Sequence, residues 1–333
     1  MPDYGQMLAD QAVAEIAKRL RKIYDQAAKD LRAKFADFQR RHLAKQSEML
    51  DKLNAGEITK AAYDSWMMGQ LFIGKQWKDK IDQATRIMNN ANKAAADIVN
   101  KGRFDIFAEN YNYSSYLLDK AFKVDMGFNL FSTEAVARLI KKAPKLLPEW
   151  KIDQAKDYIW NHSKILNSIT QGIIQGERLD RIVSRLVRDL VTQNYNRMRT
   201  FARTAVTGAQ NAGREKQMED AAEMGIKGKK KWVATLDDRT RDTHQELDGD
   251  EVDIGKPFKV MVKGKWEEIM RPGDPNALPC LVYNCRCTLI EVYDGITRKS
   301  VRRAYETDER GYRKSYIVKD MNYKQWKAWK ESR

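Results

Sequence analysis

A chain of 333 residues is long enough for two domains, or for one core plus an extended part. Lysine and arginine number 61 against 46 aspartates and glutamates, and the net +15 favours a polyanionic neighbour such as nucleic acid, or an acidic protein surface. No apolar run is long enough to cross a bilayer, and Met1-Pro2-Asp3-Tyr4 lacks the basic and apolar regions of a secretory signal, so neither a membrane span nor an export leader is expected.

From Met7 to about Leu53 there is no proline or glycine, and apolar residues recur at Ile16, Leu20, Ile23, Ala27, Leu31, Phe35 and Phe38. Steps of three and four predict one long amphipathic helix, on the order of 65–70 Å if continuous. Asn54-Ala55-Gly56 ends it, and a helix restarts from Glu57 through Trp66, Leu71 and Trp77. A third helix is expected over 78–99, with Lys101-Gly102 as its stop. The aromatic, Asn-rich stretch 104–130 contains a turn at Asp125–Phe128. A capped helix follows from Thr133 to about Ala143, and another covers 152–175, closed by Gly176. Helices are then expected over 178–191 and over 195–213, the latter continuing through 217–224, with an exposed basic loop at Lys227–Lys231.

The helical pattern stops after that loop. Lys231–Leu236 alternates as a strand, and Asp237–Arg241 is a polar turn. Thr240 or Asp242 is placed to cap a short helix carrying His244. Phe258–Val262 and Lys265–Ile269, joined by Lys263-Gly264, form a hairpin. Arg271–Pro275 is a loop, and Asn284–Tyr293 runs into a strand. All three cysteines, Cys280, Cys285 and Cys287, fall in this segment. An odd number of cysteines without a secretion signal argues for a reducing compartment and against a disulfide framework. Strand alternation puts Cys285 and Cys287 on one face, Cys280 can swing in from the loop, and His244 completes the donor set of a structural zinc site. Asp248 or Asp238 is the substitute ligand, and small buried hydrophobic cysteines are the alternative to a metal site. The pattern His244-Gln245-Glu246 followed by Pro279-Cys280 and Cys285 also suggests a zinc-dependent nucleobase deaminase, with Glu246 as general acid/base. A strand after Cys285, where such enzymes place a helix, counts against that.

The ordered string Trp232, Leu236–Arg241, His244, Leu247–Gly249, Pro272–Pro275 and Asn284-Cys285-Arg286-Cys287 resembles the phage head morphogenesis family, the Mu F-like minor head proteins. The stretches around Arg203–Gly213 and Ile173–Gly176 resemble it too, so the resemblance covers roughly 154–293. It implies a virion protein and no enzyme. It implies a place inside the capsid near the portal, with host cytoplasm as the site of assembly. The implied partners are the portal protein, the major capsid or scaffold protein, and packaged DNA held non-specifically through phosphates, with no membrane. Head assembly, DNA packaging and DNA delivery are the implied roles. A free, non-specific nucleic-acid-binding protein is the other alternative to the deaminase reading.

The tail after Ile296 is basic and aromatic, and too short for an appended enzyme. Arg302, Arg303, Arg313, Lys314, Trp326 and Trp329 are its candidate contacts with nucleic acid or the portal; basic residues interleaved with aromatics grip a phosphate backbone. The other reading of Lys324–Lys330 is a short amphipathic helix docked on its own protein. The expected architecture is mainly α with a small α+β C-terminal domain, its long N-terminal helices forming an elongated arm, with an ordinary bundle whose helices fold back on each other as the equal alternative. Its segments are a long-helix arm over 1–110, a helical domain over 111–230, a Mu F-like α+β domain with the candidate zinc site over 231–295, and a basic aromatic tail over 296–333.

Overall fold

The computed structural model describes residues 3–69, 74–123, 125, 127–293, 301–310 and 312–332. Helix α1 (Tyr4–Asn54) has 51 residues and is therefore about 75 Å long. Its apolar stripe is its buried face: Ile16, Leu20, Ala27, Leu31, Phe35 and Phe38 are all buried. Helix α2 (Lys60–Gly69) follows the expected stop, where Gly56 has φ +75°. Leu71, expected within that second helix, lies outside the described residues.

Helix α3 (Gly74–Phe122) corrects the expectation of a stop at Lys101-Gly102. Gly102 is an interior helical position: a Cβ there would stand 3.3 Å from Ile16 Cδ1, so the missing side chain is space filled by α1. Helix α4 (Thr133–Lys142) is capped by Ser132, whose hydroxyl accepts from Ala135 N at 3.2 Å. Helix α5 (Gln154–Ile174) is capped by Asp153 in the same way. Helix α6 (Leu179–Glu223) is a second correction, since one 45-residue helix replaces the two expected between 178 and 224. Asn194 does not break it because its side-chain amide donates back to Leu190 O at 2.9 Å. Gly208 and Gly213 do not break it because neighbouring backbone occupies the place of their side chains; a Cβ on Gly213 would stand 2.3 Å from Phe107 O.

The chain divides into two compact units. The first comprises Met1–Ala17, Val99–Glu149 and Thr200–Arg333, the second Lys18–Ile98 and Trp150–Arg199. In the second unit, four helices meet around a buried polar cluster. The Tyr24 hydroxyl donates to Asn92 Oδ1. Asn92 Nδ2 in turn donates to Asp157 Oδ2 at 2.9 Å and Asn194 Oδ1 at 2.8 Å. Asn194 donates to Asn161 Oδ1 at 3.0 Å, and Arg197 pairs with Asp157. Each of α1, α3, α5 and α6 supplies at least one member, so sliding any helix by a turn would strand buried polar groups.

In the first unit, α6 carries a small α+β domain. A three-stranded antiparallel sheet has the order β2–β1–β5, formed by β1 (Gly228–Val233), β2 (Glu251–Asp253) and β5 (Thr288–Tyr293). Trp232 of β1 faces Leu289 of β5 in the register. The hairpin of β3 (Phe258–Val262) and β4 (Lys265–Ile269) has the expected bounds, with Lys263 and Gly264 both at positive φ in its turn. Short helices α7 (Asp242–Glu246) and α8 (Pro279–Val282) lie in the connections. The core of this domain gathers Trp232, Leu247, Phe258, Ile269 and Leu289 against Met218 of α6. The tail folds as a second hairpin, β6 (Val301–Thr307) with β7 (Arg313–Lys319), and helix α9 (Tyr323–Glu331).

The basic run 227–231, expected as an exposed loop, is a third correction. It enters β1, and Lys230 is fully buried. Its ammonium lies 2.6 Å from Glu215 and donates to Met270 O at 2.7 Å, while Arg271 holds the other Glu215 oxygen at 2.6 Å. One carboxylate from α6 thus neutralises two buried cations from the β domain. Glu215→Ala is expected to destabilise the folded chain by about 3–5 kcal/mol, since it leaves both charges buried without a partner. Urea unfolding of the variant measures this; a loss below about 0.5 kcal/mol would show that the two cations are solvated.

Candidate metal centre

The segment before β5 is not itself a strand, yet its backbone groups are paired, by side chains of α6. Thr204, Thr207, Asn211 and Arg214 recur at steps of three and four, so they share one helix face. The Thr204 hydroxyl accepts from Asn284 N at 2.8 Å, and the Thr207 hydroxyl donates to Cys285 O at 2.8 Å. Asn211 donates to Cys287 O at 3.2 Å and accepts from Leu289 N at 2.8 Å, as a neighbouring strand would. Arg214, fully buried, donates to Leu289 O at 2.8 Å and is neutralised by Asp3. Asn284 has φ +58°, a backbone bend that asparagine tolerates, and it turns the chain into this ladder.

Arg271–Pro275 packs on the same helix. Gly273 has φ +77°, and a Cβ on it would stand 2.6 Å from Gly208 N. Asp274 closes the loop by accepting from Met270 N at 3.0 Å and Asn276 N at 2.9 Å.

The ladder sets Cys285 and Cys287 against α7. Cys287 Sγ is 3.3 Å from His244 Nδ1, and Cys285 Sγ is 3.6 Å from it. The three donor atoms all lie within 4.8 Å of one another, and all three residues are buried. Cys287 N also donates to Cys285 Sγ at 3.4 Å, which favours a thiolate on Cys285. Burial raises the Cys285 pKa, but hydrogen bonds from Cys287 and the nearby Arg241 and Arg286 charges outweigh it and leave the thiol below its ordinary range. Cys287 is pushed well up by burial and by its neighbour Cys285. On the far side of the imidazole, Nε2 is buried with no hydrogen-bond partner among the described residues, and Trp232 packs edge-on at 5.2 Å. Two thiols and an imidazole nitrogen converging in a closed site fit a soft or borderline cation such as zinc.

The remaining expected ligands lie elsewhere. Cys280 is exposed on α8 and stands outside the group of three. Its carbonyl and that of Tyr283 accept from Arg241, which clamps the α8 turn. Arg241 is also the N-cap of α7 and makes no side-chain cap bond; Thr240, an expected cap, donates instead to Thr235 O at 2.6 Å. Asp248, a substitute ligand by sequence, accepts from Ala234 N at 2.6 Å and pairs with Arg302 at 2.7 Å. Asp238 pairs with Lys330 at 2.9 Å. Glu246 is exposed, so the imidazole and carboxylate that a deaminase needs in one site are not together.

The tail residues divide. Arg302 is committed to Asp248 and to Met321 O, which fixes β6 on the β domain. Trp326 is buried, and its indole donates to the Tyr316 hydroxyl at 3.1 Å; Trp329 is half-buried beside the Tyr316 ring. Arg303 and Lys314 are exposed, and the Arg313 side chain lies outside the described residues. The α9 helix therefore docks on its own protein.

Residues 163–290 match the family described as Phage Mu protein F like protein. The minor head protein GP7 of Bacillus phage SPP1 is 27% identical over 326 residues, which cover 97% of this chain and 95% of that protein. The NAD(+)--arginine ADP-ribosyltransferase EFV of Enterococcus faecalis is 30% identical over 208 residues, or 60% of this chain. The chain spans only 40% of that relative's length. No solved structure matches.

Asn211→Ala removes both halves of a strand-like pairing and leaves Cys287 O and Leu289 N buried. A loss of about 2–4 kcal/mol is expected, one desolvated group at each end. Hydrogen exchange at Leu289 measures it locally; protection equal to wild type would show that the ladder does not hold β5.

Proposed function

Since the chain belongs to the Mu F-like family of phage head morphogenesis proteins and is a minor head protein, we propose that it sits inside the capsid at the portal vertex, where it supports head assembly, DNA packaging and DNA delivery. The observation that carries this reading is similarity to a minor head protein along nearly the whole of both chains. Charge supports the DNA side of it: a net +15 chain beside condensed DNA is attracted without needing a sequence-specific contact. The portal, major capsid and scaffold proteins are the partners this reading implies. ADP-ribosyl transfer is named for the Enterococcus protein as a whole, and no residue of this chain is assigned to it. A structural role is further supported by the burial of His244, Cys285 and Cys287, which leaves no open substrate site at that cluster. The test is association: the chain should co-sediment with heads and bind purified portal. A protein absent from purified heads and without affinity for portal would sink the reading.

His244, Cys285 and Cys287 are the residues that would hold a structural zinc ion. Bound there, the ion supplies coordination bonds that tie α7 to the start of β5. Purified without chelator, the chain should carry about one zinc, and Cys287→Ser or His244→Ala should lower that content severalfold. Cys280→Ser should leave it unchanged, because Cys280 lies outside the buried group. Chelation should increase hydrogen exchange in residues 232–293 and spare α1. Zinc-free protein with unaltered exchange would remove the metal from the account.

A further inference from the structure

Helix α5 is apolar on two faces. One of them, with Ile165, Ile169 and Ile173, is buried within the second unit. The other consists of Ile159, Ser163, Leu166, Thr170 and Ile174, at steps of four, three, four and four. At about 100° per residue these five share an arc of about 80°, over a length of about 22 Å. Ile159 is 64%, Leu166 42% and Ile174 67% exposed, with Ser163 exposed and Thr170 half-buried between them. A single exposed isoleucine is ordinary. Three large apolar side chains in line on one helix, separated only by two small hydroxyls, form a stripe suited to a second helix.

No charged side chain enters this arc between Ile159 and Ile174. The cations nearest to it are engaged within the chain: Lys156 pairs with Asp153 at 3.4 Å, and Lys164 lies 5.6 Å from the centre of the Trp160 ring. A phosphate backbone therefore finds nothing to hold here, although the chain as a whole carries +15.

The order of the stripe identifies its occupant. About a point between Leu166 and Asn167, Ile159 and Ile174 are equidistant, and so are Ser163 and Thr170. Two copies of α5 laid antiparallel about a two-fold axis through that point would put Ile159 against Ile174 of the second copy. Ser163 would meet Thr170, hydroxyl to hydroxyl, and Leu166 would meet its own counterpart. An isologous contact requires this self-complementarity, whereas a foreign partner imposes no such symmetry.

We propose that the exposed stripe of α5 is a self-association surface, on which α5 of a second copy of this chain packs antiparallel about a two-fold axis at Leu166. This goes beyond the head-protein reading and depends on neither portal nor DNA. One helix pair falls short of the roughly 800 Å² per partner of a standard interface, so the dimer is weak and its population follows concentration.

The test uses the full chain. Sedimentation velocity should show a monomer–dimer equilibrium whose mean mass rises with loading concentration. Leu166→Glu should weaken that equilibrium about tenfold or more, because each dimer buries the new charge twice. Ile159, Leu166 and Ile174 are exposed, so circular dichroism should find their variants folded. Orientation is read by disulfide trapping in a Cys280→Ser background, which removes the exposed thiol. Leu166→Cys should cross-link to itself. Ile159→Cys alone should not, because its two copies would stand more than about 20 Å apart, but it should cross-link when mixed with Ile174→Cys chains. A wild-type chain that stays monomeric, with a Leu166→Cys chain that does not cross-link, would overturn the proposal and leave the head-protein reading untouched. Association that Leu166→Glu leaves unchanged would also overturn it, as would self-cross-linking of Ile159→Cys, the mark of parallel packing. A monomeric wild type whose Leu166→Glu variant no longer co-sediments with heads would make the stripe a dock for a different head protein, and the proposal would be wrong.

Discussion

One face of α6 is the constraint on which the rest of the C-terminal domain depends. Thr204, Thr207, Asn211 and Arg214 give the segment 284–289 the hydrogen bonds that a further strand would have given it. Buried backbone groups must be paired, and a helix can do this only with side chains of the right length at three- and four-residue spacing. Once the segment is held, Cys285 and Cys287 have fixed directions, β5 begins at Thr288, and β1 can pair with it. The candidate metal centre is therefore set by α6 even though no ligand comes from that helix.

The second recurring theme is cations used inside the first unit. Arg214, Lys230, Arg271, Arg286 and Arg302 each meet a carboxylate: Asp3, Glu215 for two of them, Asp237 and Asp248 respectively. Such pairs do not add much net stability against an apolar core, but any one partner missing is costly. They act as positional locks: Glu215 joins the sheet to α6, and Asp248 joins the tail hairpin to the β domain. The pairs withdraw five cations and four carboxylates from the surface, so they reduce the number of free basic groups while leaving the net charge almost unchanged.

Much of the fold was legible in sequence. The stripe of α1 sits at helical spacing, the helix from Thr133 has a readable start, and the Lys263-Gly264 turn demands positive φ. Each signal is local, so a short window suffices to read it. The continuity of α3 and α6 was not legible, because Gly102 looks like a stop in isolation and the polar residues around Asn194 look like a break; Gly208 and Gly213 lie inside α6 as well. All three glycines are interior positions where Ile16, Gly273 and the Phe107 carbonyl take the space of a side chain. The run 227–231 misled for the same reason: four lysines in five positions look solvated until Glu215 is brought beside one of them. At the candidate site, residue chemistry picked out His244, Cys285 and Cys287 correctly as companions in space. It also picked Cys280, which α8 holds at the surface.

By itself, the sequence determined the helical character of the chain, the presence of a strand-rich segment after the last long helix, and the donor types available to a metal. It also carried the ordered motifs by which the family is recognised. Tertiary structure decided which glycines interrupt helices, which cations face solvent, and which three of four candidate ligands converge. The physical reason is range. Helical periodicity, capping and turn preference act over a few residues, whereas burial, charge neutralisation and ligand geometry are set by partners such as Asn211 and Cys287, 76 positions apart.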